Sequence, residues 1–325
     1  MSFELTIATA PAWVTEHGLN PGNARLTAVE LTGGVSASVI AVNGPGVAVV
    51  VKQALRRLRV AEVWEAKVER TETEVAAMRL FADLTPGAVP GVLAHDADDH
   101  VFAMEQLPTE ARNWQAEIGQ GRVNLGVGRW AGVTLGKWHV ETSTRPDILN
   151  RFDDFEAFEQ QRLTPFYETV IDRRPEFAAA IADHVEELRS VRRCLVDGDY
   201  APKNMLVAAG GKGWVFDFEV VHVGNPVFDL AFFLSFAVLS AVRWPRLIDE
   251  LRHLAGGFLA GYEQSAGAGF AGDALSITGH TACLVLARTD GTSPAQFLDY
   301  TSQQRARQAG VALLERPGEG LWGWL

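Results

Sequence analysis

Cysteine is nearly absent: the 325 residues include two, Cys194 and Cys283. Two cysteines this far apart make no disulfide framework, and no Cys/His spacing matches a zinc site. Long hydrophobic runs are missing too. The longest apolar stretches, such as "DLAFFLSFAVLSAV" (229–242), fall short of the ~18–20 residues a membrane span needs. The opening "MSFELTIATAPAW" lacks the basic segment and apolar stretch of a secretory signal. Positive charge is in deficit, with 29 Lys and Arg against 40 Asp and Glu and a formal charge of −11. That balance argues against a DNA or RNA footprint. A cytoplasmic protein with neither membrane nor nucleic acid as partner is expected, and homodimer formation is left open.

What the chain has is apolar residues, 47% of the total, enough for a large core at a length that suggests two lobes. The first third reads as strands with one helix. Residues 25–55 are rich in valine and broken by Gly-Gly and Asn-Gly-Pro-Gly, as antiparallel hairpins are. "ERTETEVAAMRLFADL" (69–84) has helical spacing, with Val75, Met78 and Phe81 on one face. Residues 89–108 read as two strands around an acidic turn. From about residue 120 the pattern is mostly helical, with a Gly-rich helix over 122–142 and others over 175–193, 227–242 and 245–265. Inside that region lies one β-hairpin, "NMLVAAGGKGWVFDFE" (204–219). The expectation is an α+β fold, with a β-rich lobe over 1–106 and a helical lobe over 107–325.

The hairpin gives the preceding loop, "LVDGDYAPKN" (195–204), its chemical interest. Met205–Val207 is expected to pair with Trp214–Phe216, so Asn204 enters and Asp217 leaves at one end, within reach of Asp199. Two oxygen ligands with a nearby carboxylate are the minimum for holding Mg²⁺ and orienting a hydroxyl. Glu219, two residues past Asp217, points to the same side of an extended segment. In the first third, "LTGGVSASV" (31–39) places Gly33, Gly34 and Ser36 in a turn whose N–H groups can approach phosphates. It is not the Gly-x4-Gly-Lys-Ser/Thr loop. Lys52 ends "VAVVVK", and Glu74 on the following helix can pair with it and hold it against phosphates. "MEQLP" (104–108) offers an extended connector, Glu105 to Leu107, whose backbone can bond an adenine edge. Glu69 and Glu72 read as solvated.

In this order and spacing the chain resembles the aminoglycoside and choline phosphotransferases, which have a bilobal protein-kinase-like fold. Within that group, "VKQALRRLRVAEVWEAKVERTETEVAAM" (51–78) and "DFEVVHVGNPVFDLAFF" (217–233) are similar to segments of 5-methylthioribose kinases. The resemblance implies an ATP- and Mg²⁺-dependent kinase acting on a small sugar-like acceptor. It makes Asp199 the catalytic base, Asp217 and Glu219 with Asn204 the metal ligands, and Lys52 the phosphate lysine. It points to Arg288 for the polar side of the sugar and to Trp64 as a mobile cover; His222 is placed to touch substrate. Two features depart from the pattern. Asp197 stands where the family has histidine, and Arg288 stands alone where methylthioribose kinases have an arginine pair. An aminoglycoside is the alternative acceptor, and a non-catalytic nucleotide-binding relative the alternative class. Structural roles are expected for His139, as a packed or capping residue, and for Asp229, as a brace of the catalytic loop or a helix cap. Lys203 reads as solvated.

Overall fold

The computed structural model describes residues 3–31, 36–59 and 65–325. They form two compact units: residues 3–109 with Phe216–Glu219, and Glu110–Val215 with Val220–Leu325. The short segment Phe216–Glu219 therefore leaves the second unit along the chain and packs within the first.

The first unit is built on an antiparallel sheet of β1 (Thr27–Glu30), β2 (Ala37–Gly44), β3 (Val47–Ala54), β4 (Val92–Asp96) and β5 (Val101–Glu105), in the order β1-β2-β3-β5-β4. The valine run of β3 is buried on both faces, which explains why it reads as continuous rather than alternating. Val47, Val49 and Val51 pack with Trp13 and Val14 of the helix Ala10–Glu16. Lys52, on the opposite face, turns to the helix Arg70–Leu84, which buries Val75, Met78 and Phe81.

In the second unit two small sheets anchor loops among helices. Strands β6 (Arg112–Asn113), β8 (Met205–Val207) and β9 (Gly213–Val215) form one, in the order β6-β8-β9. Strands β7 (Cys194–Val196) and β10 (His222–Gly224) form the other. The hairpin is shifted by one residue from expectation. Met205 pairs with Val215, so Phe216 lies outside the ladder. The Gly-rich helix starts at Leu125 rather than 122, because the Asn124 side chain accepts the Val127 N–H at 3.2 Å and caps it. The stretch 175–193 opens with a single 3₁₀ turn, Pro175–Phe177, and its α-helix is Ala178–Ser190. The helix Val227–Arg243 is buried on every side from Val227 to Val242, as its all-round apolar sequence requires. No helix among the described residues is long and apolar enough to cross a membrane.

The helices Leu125–Ser143 and Ile248–Ala266 approach until backbone meets backbone. A Cβ on Gly132 would lie 1.9 Å from the Phe258 carbonyl oxygen, and one on Gly261 would lie 2.3 Å from that of Arg129. These glycines allow the contact that a larger residue would push apart. Gly256, on the same second helix, has nothing within 4 Å of its Cβ position. Gly132→Ala should therefore lower unfolding free energy by roughly 1–3 kcal/mol, while Gly256→Ala should raise it by up to ~1 kcal/mol. Urea denaturation of the two variants checks the pair, and equal effects would contradict this packing.

Candidate active site

In the first unit, the β3 register carries Lys52 to the helix Arg70–Leu84, where its Nζ donates to Glu74 Oε1 at 2.7 Å. The same ammonium donates to Asp217 Oδ1 at 2.5 Å. Glu74, Asp217 and Glu219 offer carboxylate oxygens that all lie within 4.8 Å of one another. Burial works against charge on Lys52, but Asp217, Glu74 and Glu219 outweigh it and hold the ammonium well above its ordinary value. Burial raises the Glu74 carboxyl to about 7 despite Lys52, with Asp217 and Glu219 adding to the rise.

Asp217 and Glu219 converge by a route other than the extended strand expected. Asp217 has φ +75°, in the left-handed region, so the chain turns there and the period of two does not apply. Glu219 is fixed from the other side by Arg70, whose Nε donates to its Oε2 at 3.0 Å. Arg70 is fully buried and also donates to the carbonyls of Ser36 and Leu55, at 2.6 and 2.8 Å. Ser36 thus enters through its backbone. An all-oxygen cluster with one lysine suits a hard divalent cation and a polyphosphate. Farther along, the N–H of Glu105 donates to the Gly91 carbonyl at 2.9 Å and that of Gln106 to Ala48 at 3.4 Å, leaving Leu107 as the next N–H along the connector. Gly33, Gly34 and Trp64 lie outside the described residues.

The second unit holds the loop after β7. Buried Asp229 accepts the N–H of Asp197 at 2.7 Å through Oδ2 and that of Gly198 at 2.8 Å through Oδ1. His139 Nε2 lies 3.1 Å from Asp229 Oδ2, and its Nδ1 lies 2.9 Å from the Tyr262 hydroxyl. Asp197, in the position of the family histidine, accepts the Asp199 N–H at 2.9 Å and so shapes its own loop. Asn204, in a 3₁₀ turn, donates its amide to Asp199 Oδ2 at 2.7 Å and to the Asp199 carbonyl at 3.1 Å, which leaves its own Oδ1 for a metal.

Two cations pair with Asp199. Arg162 Nη2 lies 2.9 Å from Asp199 Oδ1, and its Nε donates to the Gly198 carbonyl at 2.7 Å. Lys203 donates to Asp199 Oδ2, so it is paired rather than merely solvated. Arg288 packs over the Phe166 ring at 5.9 Å. Burial lowers its pKa to about 10, and the nearby Asp199 carboxylate partly opposes the shift. Sequence reasoning missed Arg162. It sits in a π-helical stretch, Glu159–Glu168, that contains Pro165 and offers no clean period. Its neighbours, Gln-Gln before it and Leu-Thr-Pro after it, offered no signal of its burial.

His222, expected to touch substrate, is packed in the core of the second unit. It is 2% exposed, its ring centroid lies 4.1 Å from that of Phe158 and 5.2 Å from that of Phe155, and its Nδ1 lies 2.9 Å from the Val220 carbonyl. The ring packs edge and face against these aromatics in the core of the second unit.

A unit built on a five-stranded antiparallel sheet and a second, mainly helical unit are features of kinase-like phosphotransferases. The chain belongs to the phosphotransferase enzyme family, whose model matches residues 27–269. Among curated proteins it is similar to the methylthioribose kinases of Bacillus cereus strain G9842, at 28% identity over 106 residues, and of Bacillus mycoides strain KBAB4, at 30% over 106. Each match covers 32% of this chain and only 27% of the relative's length. Similar solved structures include a choline/ethanolamine kinase family protein from Mesorhizobium loti, with TM-score 0.56, 17% identity and coverage of 96% of this chain and 95% of that one. An amicoumacin kinase in complex with AMP-PNP and Ca²⁺ gives TM-score 0.58 at 14% identity, covering 89% of this chain and 88% of that one. A spectinomycin phosphotransferase in complex with ADP and spectinomycin gives 0.52 at 13%, covering 99% and 90%. At these identities the structures establish the fold.

Burial lowers the His222 pKa from 6.5 to about 4. Between those values the unfolded chain binds a proton that the folded one does not, so the stability held by neutral His222 is complete above about 6.5 and lost as pH falls toward 4. His222→Phe keeps a ring among Phe155 and Phe158 and removes the titration. Its stability should fall less steeply on acidification over that window, with the difference from wild type approaching roughly 2–3 kcal/mol. Parallel pH slopes in urea melts of the two proteins would show that His222 titrates normally.

Proposed function

We propose that the chain is an ATP- and Mg²⁺-dependent small-molecule kinase that transfers the γ-phosphoryl group to a hydroxyl of a sugar-like, methylthioribose-like acceptor. The observation that carries the reading is the setting of Asp199: a buried carboxylate with both oxygens directed by Arg162, Asn204 and Lys203. Such a group orients an acceptor hydroxyl and takes its proton as the oxygen attacks phosphorus. Magnesium-bound ATP would supply the electrophilic phosphoryl group with its charge partly neutralised.

In the first unit, Lys52 is assigned to the phosphates with Glu74 holding it, Asp217 and Glu219 to the metal, and the Glu105–Leu107 backbone to the base. The convergence of the three carboxylates supports the metal assignment. Arg70 positions Glu219 rather than touching ligand. In the second unit, Asp229 and Asp197 fix the backbone around Asp199, and Asn204 holds its carboxylate.

Arg162, Lys203 and Arg288 favour an acceptor that is neutral or anionic over a polycation. An aminoglycoside's ammonium groups would meet like charges at Arg162 and Lys203, which is unfavourable at close range. Arg288 is assigned to acceptor hydroxyls or to an acidic group on the acceptor.

Asp199→Asn should lower kcat by about 10²–10⁴-fold while leaving nucleotide affinity near wild type, as read by titration with an ATP analogue. Near-normal turnover would remove Asp199 from this role. Arg288→Ala should raise KM for the acceptor about tenfold and leave KM for ATP nearly unchanged. A coupled assay of ADP release across neutral, anionic and polycationic sugars reads both. A preference for polycationic acceptors would overturn the acceptor class without touching the kinase reading.

A further inference from the structure

Away from the Asp199 loop, the helices Ala178–Ser190 and Ala274–Asp290 bring two histidines and a glutamate together. His184 and Glu187 lie three residues apart on the first helix, and His280 comes from the second. Each offers one nitrogen or oxygen atom, and the three atoms lie within 4.8 Å of one another. His280 Nε2 is 3.2 Å from Glu187 Oε2, and His184 Nδ1 is 3.8 Å from the same oxygen. The two imidazole rings are 4.5 Å apart between centroids.

A plain interhelical hydrogen bond needs one histidine and one carboxylate. Here two imidazole nitrogens face a single carboxylate oxygen, and the groups behind them are already engaged. The other oxygen, Glu187 Oε1, accepts from the Ser276 hydroxyl at 2.8 Å and the Asn225 amide at 3.4 Å. His280 Nδ1 lies 3.1 Å from the hydroxyl of buried Tyr167, which leaves Nε2 turned to the cluster. Outer partners that fix imidazole and carboxylate orientation are the supporting shell of a metal centre. Gly279 makes room for the second imidazole, since a Cβ there would lie 2.4 Å from His184 Nε2.

We propose that His184, Glu187 and His280 form a transition-metal site of the zinc class, with three protein ligands and a fourth position open to water. Ligands sharing a tetrahedral zinc at about 2.0–2.1 Å stand roughly 3.3 Å apart. Two of the observed separations, 3.2 and 3.8 Å, are near that value. The His184 side chain, 20% exposed, has the freedom to close the remaining gap, and the Glu187 side chain, 34% exposed, gives the ion an entrance; His280 is fully buried. Two nitrogens and an oxygen select zinc, nickel or cobalt over magnesium and calcium. The site is thus chemically distinct from the all-oxygen cluster of Glu74, Asp217 and Glu219.

The test is zinc uptake by the purified full chain, measured by competition with a chromogenic chelator, together with the visible d–d bands of Co²⁺. Wild type should take one zinc per chain and give tetrahedral cobalt bands. His184→Ala and the isosteric Glu187→Gln should each weaken zinc binding at least about tenfold and abolish the bands, while Asp217→Asn leaves both unchanged. Circular dichroism identifies whether each variant is folded, and either ligand variant alone decides the outcome. No zinc uptake by wild type, zinc bound as tightly by a folded His184→Ala or Glu187→Gln, or loss of binding in Asp217→Asn alone would overturn the proposal.

Discussion

The loop that carries Asp199 rests on a carboxylate that never meets water. Asp229 is fully buried, and its two oxygens receive the backbone N–H groups of Asp197 and Gly198 while His139 closes on one of them. Tyr262 holds His139 in turn, so three helices, Leu125–Ser143, Val227–Arg243 and Ile248–Ala266, are tied to one turn of the loop. A buried carboxylate is costly unless every oxygen is matched, and once matched it is costly to disturb, at about 3–5 kcal/mol for loss of a partner. Gly198, at φ +78°, lets both N–H groups face the same carboxylate, and a Cβ there would lie 2.9 Å from Val220 Cγ2. The glycine contacts between the two long helices serve the same end, because they bring Tyr262 near enough to reach His139.

The order of Lys52, Glu74, Asp199, Asn204 and Asp217 was legible because each sits at a place where local pattern is strong. Lys52 ends a valine run, Glu74 lies on a periodic helix, and the other three flank a hairpin marked by glycines. Periodicity conveys where a side chain starts and not where a turn redirects it. The positive φ at Asp217 therefore defeated the extended reading of Glu219, although the carboxylates still meet. Arg162 was invisible for a related reason, since a π-helical stretch has no face that spacing can reveal. The packing of His222 against Phe158 was not legible because proximity in sequence to Asp217 and Glu219 says nothing about which side of β10 its ring occupies.

Burial divides the basic residues into two kinds. Arg70 and Arg162 spend most of their donors on backbone carbonyls and a single carboxylate, and each acts as a fixed strut. Lys203, with a side chain 42% exposed, touches Asp199 only from the solvent edge. A guanidinium fork suits the first task and a flexible ammonium the second.

Arg162 and Lys203, paired with Asp199, stand on a chain whose formal charge is −11. An anionic small molecule diffusing toward this loop is repelled at long range and attracted only within the last few ångströms. Added salt screens the distant repulsion first, because the Debye length of about 8 Å at physiological ionic strength exceeds the contact distances involved. Capture of such a molecule would therefore quicken as ionic strength rises from low values, opposite to the behaviour of a partner steered by complementary net charge.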